Sequence, residues 1–218
     1  MTPGALRAPG PKERFRVRTL SHEEVDHWFH VYRPVVRRGV ERLGPLSFNQ
    51  GFGASRFAPI QLTEGPAHTY YAASTQECAF LESVLHDVVL GRPAFFELKA
   101  LDDYRLTRLR LIGPLQYVSF HSHDLPALGL TRGDLIDATP ADSGWTRAWA
   151  EAALRQCADA AAIGYTSRRY DAGRCLMLVQ QRLPEPPFQV LDDACIGTSR
   201  ALRTALIDLA SSLGIALY

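Results

Sequence analysis

The sequence predicts a single α+β domain. Short apolar runs bounded by Gly, Pro and Ser are typical of strands, and longer segments with helical periodicity follow capping residues. No internal repeat or low-complexity block divides the chain. At 218 residues and 46% hydrophobic content, the chain can bury one core without disulfides. We expect residues 1–13, rich in Pro, Gly and charge, to be a flexible tail and residues 14–218 to form the domain.

Four helices are predicted: one that contains Trp28 and Phe29 and ends at residues 32–34, and others at residues 74 to about 90, 145–158 and 199–212. The first two follow capping boxes at residues 21–24 and 74–77, where a Ser precedes a Glu by three positions. Gly91 and Pro93 supply the stop of the second helix.

Five strands are predicted, at residues 69–73, 95–100, 104–111, 160–166 and 175–181. The last two flank a polar turn and should pair with each other. Residues 113–143 mix several turn signals, and the run 184–187, Pro-Glu-Pro-Pro, breaks the chain.

Composition and charge exclude several classes of protein. The net charge of +1 gives no basic excess for direct nucleic-acid binding, and no apolar run is long enough to span a membrane. The N-terminus has no apolar signal-peptide core, so we expect a cytoplasmic protein. The four cysteines have no metal-site spacing and are expected to be free thiols: Cys78, Cys157, Cys175 and Cys195.

A long irregular segment at residues 44–68 carries Gly and Pro at close intervals. Such segments inside compact domains are usually functional when ordered. Arg56 and Phe57 lie in its middle.

Helical periodicity places Glu82 at a margin of the predicted helix 74–90. With Cys78, one apolar stripe contains Leu81, Val84, Leu85, Val88 and Val89. Glu82 falls at its edge, where a carboxylate is costly to desolvate unless it is paired or used. The alternative is a glutamate that reaches past the edge into water, and periodicity alone favours that alternative.

Polar groups at strand ends are further candidates. Tyr70 and Tyr71 on one strand point to opposite faces, so one can stack on a flat ligand while the other packs inside. Ser167 follows an apolar strand and can bind a phosphate or ribose oxygen, or simply form the turn. The turn arginines form a solvated cluster or help to hold a pyrophosphate: Arg168, Arg169 and Arg174.

His121 and His123 form a His-x-His pair that could bind zinc from one face of a strand. His86 and Asp124 are weak candidates for a third ligand. We therefore predict no metal site.

The order of these elements resembles the RES-domain family, which is named for an Arg, a Glu and a Ser. The matching segments, from about residue 31 to residue 181, are Tyr32-Arg33, Ser55-Arg56-Phe57-Ala58, Tyr70-Tyr71-Ala72-Ala73, Cys78-Ala79-Phe80-Leu81-Glu82, Trp149-Ala150 and Ile163-Gly164-Tyr165-Thr166-Ser167-Arg168. Ser55 and Ala58 stand where the family has Gly and Asn, and residues 113–143 look like an insertion.

The resemblance implies a fold like that of ADP-ribosyltransferase toxins, with central mixed or antiparallel sheets and flanking helices. It implies cleavage of NAD⁺ by phosphorolysis to nicotinamide and ADP-ribose-1″-phosphate, with NAD⁺ and phosphate as substrates and no resident cofactor. The implied catalytic residues are Arg56, Glu82 and Ser167. The implied NAD⁺-binding residues are Arg33, Tyr70, Tyr71 and Arg168.

The resemblance also implies a partner, an Xre-type antitoxin that covers the active site, and leaves a homodimer open. Two alternative activities belong to the same chemistry, namely protein ADP-ribosylation and NAD⁺ hydrolysis. A different class of protein stays open as well, a binding module that has lost catalysis, which the changes at Ser55 and Ala58 would suit.

Overall fold

The computed structural model describes residues 7–36, 41–89, 94–183 and 187–218. Its helices are α1 (Gln76–Glu82), α2 (Arg132–Leu135), α3 (Ser143–Gln156) and α4 (Arg200–Ser212). Its strands are β1 (Val17–Leu20), β2 (Trp28–Tyr32), β3 (Val35–Val36), β4 (Glu41–Arg42), β5 (Gln61–Leu62), β6 (Gly65–Pro66), β7 (Thr69–Ala73), β8 (Ala94–Phe96), β9 (Arg105–Leu111), β10 (Leu115–Phe120), β11 (Ala162–Thr166), β12 (Arg174–Val179), β13 (Phe188–Cys195) and β14 (Ile215–Leu217).

The main sheet has eight strands in the order β1-β10-β11-β12-β7-β2-β9-β13. All neighbours are antiparallel except β10 and β11, which run parallel. At its centre, the ladder between β2 and β7 contains one pair, Phe29 with Ala73. Beyond that pair the backbones of the two strands no longer form a ladder, so the sheet is split where the candidate site lies.

Two hydrophobic clusters cover the faces of this sheet. The larger cluster includes Phe57, Phe80 and Trp149, and the smaller includes Trp28 and Tyr70. Tyr71, the neighbour of Tyr70, packs against the larger cluster instead. The prediction that the two tyrosines point to opposite faces is confirmed, and the α+β class is confirmed with it.

The predicted helix around Trp28 and Phe29 is wrong, because these residues begin strand β2. The sequence Trp-Phe-His-Val-Tyr is rich in aromatic and β-branched side chains, which pack well on a sheet. Five register pairs with β9 fix it there. Tertiary pairing therefore overrides the local capping signal, and residues 22–24 form only a turn.

The helix predicted to reach about Leu90 ends at Glu82 instead. Its N-cap is Thr75, whose side chain accepts a hydrogen bond of 3.1 Å from the amide of Cys78. Val89, assigned to the apolar stripe, is 64% exposed because the helix has already ended. Leu90, Gly91 and Pro93 lie outside the described residues.

Six of the other predicted elements are present in the structure, and one is shorter than predicted. The predicted segments 69–73, 104–111, 160–166, 175–181, 145–158 and 199–212 correspond to β7, β9, β11, β12, α3 and α4. The predicted strand 95–100 is shorter, since it ends at Phe96 and a 3₁₀ turn, Leu98–Asp103, follows. Strands β1 and β13 were not predicted at all, and β10 lies in the mixed segment 113–143.

Residues 7–13 have no regular secondary structure but lie against helix α3. The carbonyl oxygen of Arg7 accepts hydrogen bonds from the indoles of Trp145 and Trp149 at 2.9 and 3.2 Å. The amide of Glu13 donates to the side chain of Gln156 at 2.7 Å. Flexibility of the segment 1–13 stays a prediction. None of the helices described is long and apolar enough to cross a membrane.

Candidate active site

A cleft of about 940 Å³ opens where β2 and β7 separate. Strand β2, strand β7, the irregular segment 44–56, the end of α1 and the start of α3 all contribute to its wall. Among the lining residues are His30, Phe48, Arg56, Tyr71, Glu82 and Arg168. This volume suits a nucleotide-sized ligand.

Glu82 is held at the wall of this cleft by a pair of hydrogen bonds. The hydroxyl of Ser167 donates to Glu82 Oε1 at 2.6 Å, and the backbone amide of Arg168 donates to the same oxygen at 3.0 Å. No group among the described residues donates to Oε2. One oxygen is therefore held by two donors, and the other has no donor among the described residues.

Ser167 is completely buried and does not itself line the cleft. Its oxygen accepts hydrogen bonds from the amides of Arg169 and Tyr170 at 3.1 and 3.0 Å. The two lone pairs of the hydroxyl are thereby used, and its hydrogen is directed at Glu82. The geometry makes Ser167 a residue that positions Glu82, and it does not suit a serine nucleophile.

The segment 113–143 supports the same turn. Arg132, on α2, donates a hydrogen bond of 3.0 Å to the carbonyl oxygen of Ser167. A capping box of Thr131 and Asp134 starts α2 and so fixes where Arg132 lies.

Arg56 comes from the middle of the segment 44–68, as the sequence predicts. The hydroxyl of Thr146, on α3, donates to its carbonyl oxygen and ties this segment to the helix. Its Nη1 is buried, yet no hydrogen-bond partner for it occurs in the part of the chain that the structure describes. A buried donor without a partner is costly. The residue Arg56 itself lines the cleft.

The tyrosines of β7 are both held by their hydroxyl groups. Tyr71 and Ser55 share a hydrogen bond of 2.7 Å between their hydroxyl oxygens, which joins β7 to the segment that carries Arg56. Tyr70 donates to the carbonyl oxygen of Pro45 at 2.8 Å. Burial raises the pKa of both phenols, so both stay protonated.

Arg168 and Arg33 have different positions. Arg168 lines the cleft, and its guanidinium lies 3.4 Å from the carbonyl oxygen of Ala138. Arg33 does not line it. Its guanidinium stacks 4.4 Å from the ring centre of Tyr104 and donates to the Tyr104 hydroxyl at 2.5 Å.

Sequence analysis overlooked His30 and Phe48, which both line the cleft. His30 lies in the segment that was predicted to be helical. In a strand, Trp28, His30 and Tyr32 share one face, but a predicted helix does not place them together. Phe48 lies in the irregular segment 44–68, in which only Arg56 was singled out.

The two histidines of the His-x-His pair stack on each other, and the neighbouring Asp124 is bound by other side chains. The rings of His121 and His123 stack with centres 6.0 Å apart. Asp124 is occupied by Arg18, which binds both carboxylate oxygens at 2.8 Å, and by Ser119 at 2.6 Å. Within the described ranges, no group of three or more His, Cys, Asp or Glu side chains could hold a metal ion.

The cysteines are free thiols in the structure. Cys78 and Cys175 are buried, with their sulfur atoms 3.6 Å apart, at the contact between α1 and β12. Cys157 and Cys195 are only partly buried.

The described residues thus form a split mixed sheet with a carboxylate fixed at the split and an arginine Nη1 that has no hydrogen-bond partner among them. The sequence profile of the RES domain matches residues 30–206, so the chain belongs to the RES-domain family. The crystal structure of the M. tuberculosis MbcT–MbcA toxin–antitoxin complex is similar in fold. It has 17% sequence identity and a TM-score of 0.57, and the match covers 83% of this chain and 87% of that one. No curated protein sequence matches.

Proposed function

We propose that this protein is a toxin that degrades NAD⁺ by cleaving the bond between nicotinamide and ribose. One observation carries the proposal: the 2.6 Å hydrogen bond that fixes Glu82 beside the cleft while leaving its second oxygen unoccupied. Membership of the RES-domain family supports it.

Cleavage of this bond builds positive charge on the ribose, as in other oxocarbenium-like reactions. A carboxylate that is already oriented stabilises such charge without reorganising during the reaction. Ser167 and the amide of Arg168 provide that orientation through Oε1. Oε2 of Glu82 would then face the ribose.

The anionic parts of the reactants need donors in the same cleft. Arg56 offers a buried Nη1 that has no partner among the described residues, and Arg168 lines the wall close to Glu82. A guanidinium matches the oxygens of a pyrophosphate or of inorganic phosphate. We therefore propose phosphate as the acceptor, with nicotinamide and ADP-ribose-1″-phosphate as products.

An antitoxin is the proposed partner. The structure with the similar fold is that of a toxin–antitoxin complex. The cleft is open to solvent, and Phe52 on its wall is 54% exposed. An Xre-type protein seated over it would exclude NAD⁺. A homodimer stays open, and the proposed place of action is the cytoplasm, where NAD⁺ is abundant.

The test is to incubate antitoxin-free folded protein with NAD⁺ in buffer with and without phosphate, and to identify the products by mass spectrometry. We expect release of nicotinamide that depends on phosphate. Glu77→Gln, on the same helix and outside the cleft lining, is the matched control for Glu82→Gln and should keep full turnover.

Other products would identify the alternative activities. Free ADP-ribose in both buffers would make the protein a glycohydrolase, and ADP-ribose attached to protein would make it an ADP-ribosyltransferase. No loss of NAD⁺ after long incubation would contradict the proposal and favour a binding module.

A further inference from the structure

We propose that His30 is a specificity-determining residue, whose Nε2 accepts a hydrogen bond from an N–H donor on a base of the dinucleotide. The inference rests on the proposed function, because it assigns part of the same cleft to the substrate. The donor is either the carboxamide of nicotinamide or the exocyclic amine of adenine, which offer the same chemistry.

The position of His30 follows from the split in the sheet. Beyond the pair of Phe29 with Ala73, strand β7 loses its ladder partner on the side of β2. The imidazole of His30 bridges this gap, because its Nδ1 lies 2.7 Å from the backbone carbonyl oxygen of Tyr71. His30 therefore lines the same cleft as Arg56 and Glu82.

This hydrogen bond also decides the tautomer. A carbonyl oxygen only accepts, so Nδ1 must carry the hydrogen, and Nε2 of the neutral ring is then an acceptor. Burial lowers the pKa of His30 to about 4, which keeps the ring neutral near pH 7. Among the described residues, no donor lies within hydrogen-bonding distance of Nε2.

Two tyrosine rings stack on the imidazole of His30. Tyr70 stacks on His30 with ring centres 4.1 Å apart, and Tyr32 stacks on it at 5.6 Å. Leu46 and Phe48 also line the cleft, and the ring centres of Phe48 and Tyr70 are 5.2 Å apart. A flat base with one N–H donor suits this apolar slot better than a ribose, whose second hydroxyl would find no partner among these side chains.

The experiment compares three dinucleotides by isothermal titration: NAD⁺, its hypoxanthine analogue and its nicotinic acid analogue. The hypoxanthine analogue replaces the adenine amine by a carbonyl, and the nicotinic acid analogue replaces the carboxamide by a carboxylate. We expect the wild type to bind one of these analogues at least about tenfold more weakly than NAD⁺, since that analogue places an oxygen, which cannot donate, where NAD⁺ has the N–H donor that faces Nε2. The analogue that is discriminated identifies the base.

The variant His30→Phe keeps the aromatic stack and removes Nε2. We expect it to bind NAD⁺ and the disfavoured analogue with similar affinity, so that the selectivity ratio falls to about one. A ratio is insensitive to the fraction of folded protein, so a merely structural role would not change it. His22→Gln, at an exposed histidine outside the cleft lining, should leave the ratio unchanged.

Two results would overturn the inference: no discrimination by the wild type, or a selectivity ratio unchanged in His30→Phe. Binding and turnover separate this failure from that of the proposed function. Selective binding without NAD⁺ loss would contradict only the proposed reaction, whereas NAD⁺ turnover without selectivity would contradict only the role of His30.

Discussion

At the scale of single residues, the three family positions have different tasks. Glu82 lines the cleft and keeps one oxygen unoccupied, and Arg56 presents a donor without a partner among the described residues. Ser167 is buried and donates its hydroxyl hydrogen to Glu82. The family pattern names the three residues, but only the hydrogen bonds show that Ser167 supports Glu82.

This difference predicts two sizes of effect. Glu82→Gln should lower NAD⁺ turnover by roughly 10²–10³-fold, because an oriented charge is lost, while NAD⁺ binding changes little. Ser167→Ala keeps the charge and removes one of the two hydrogen bonds to Oε1, so turnover should fall by only about tenfold.

Steady-state NAD⁺ consumption, with a melting curve for each variant, measures both effects. Wild-type turnover in folded Glu82→Gln would remove Glu82 from the reaction. A larger loss in Ser167→Ala than in Glu82→Gln would show that the serine does more than position the carboxylate.

At the scale of elements, helix α1 ends at Glu82, and Arg169 holds the segment that follows it. The guanidinium of Arg169 donates to the carbonyl oxygens of His86 and Val88, so these groups are satisfied without continuing the helix. The amide of Arg169 also donates to Ser167. One side chain thus joins the segment after α1 to the turn that holds Glu82, whereas the sequence allowed a solvated cluster for it.

Arg169→Gln should therefore loosen the segment 83–89. Loss of the guanidinium removes the donors to the carbonyl oxygens of His86 and Val88. We expect the free energy of unfolding to fall by about 1–3 kcal/mol. Hydrogen exchange should speed up in residues 83–89 and not in the sheet. Arg174→Gln, at an arginine whose side chain is 51% exposed, is the matched control and should change neither. Unchanged exchange in Arg169→Gln would contradict the role of this clamp.

At the scale of the whole molecule, buried titratable groups set the stability in acid. Burial lowers the pKa of His30 and of His121 to about 4, while in the unfolded chain both stay near 6.5. Burial alone would raise the pKa of Asp124, but the hydrogen bonds from Arg18 and Ser119 outweigh it and lower that pKa from 3.8 to about 2.

Stability should thus fall in two stages as the pH is lowered. Between pH 6.5 and 4 the unfolded chain binds protons at the two histidines and the folded chain does not, so unfolding becomes easier. Below pH 4, Asp124 becomes protonated in the unfolded chain while it stays ionised in the folded chain. The stabilisation of about 2 kcal/mol from this carboxylate is therefore lost as the pH falls to about 2.

Urea unfolding at a series of pH values measures both stages. Asp124→Asn should lower stability at pH 7 and flatten the stage below pH 4, while the contribution of His30 above pH 4 remains. Asp26→Asn, at an exposed aspartate, should do neither. A pH profile of Asp124→Asn parallel to that of the wild type would contradict the assignment.

The sequence by itself determined the α+β class, the paired strands β11 and β12, helices α3 and α4, and the opposite faces of Tyr70 and Tyr71. These features depend on local periodicity and capping, which neighbouring residues carry. The order of Arg56, Glu82 and Ser167 was also visible, since a family pattern is a property of the chain.

Only the tertiary structure decided the rest. Pairing with β9 makes a strand of the segment around His30, and Arg169, distant in the chain, binds the carbonyl oxygens of His86 and Val88 after α1. The cleft exists because β2 and β7 share a single pair, and no local pattern encodes a ladder that stops. Contacts between distant residues supply the free energy for these choices, so a window of neighbouring residues cannot predict them.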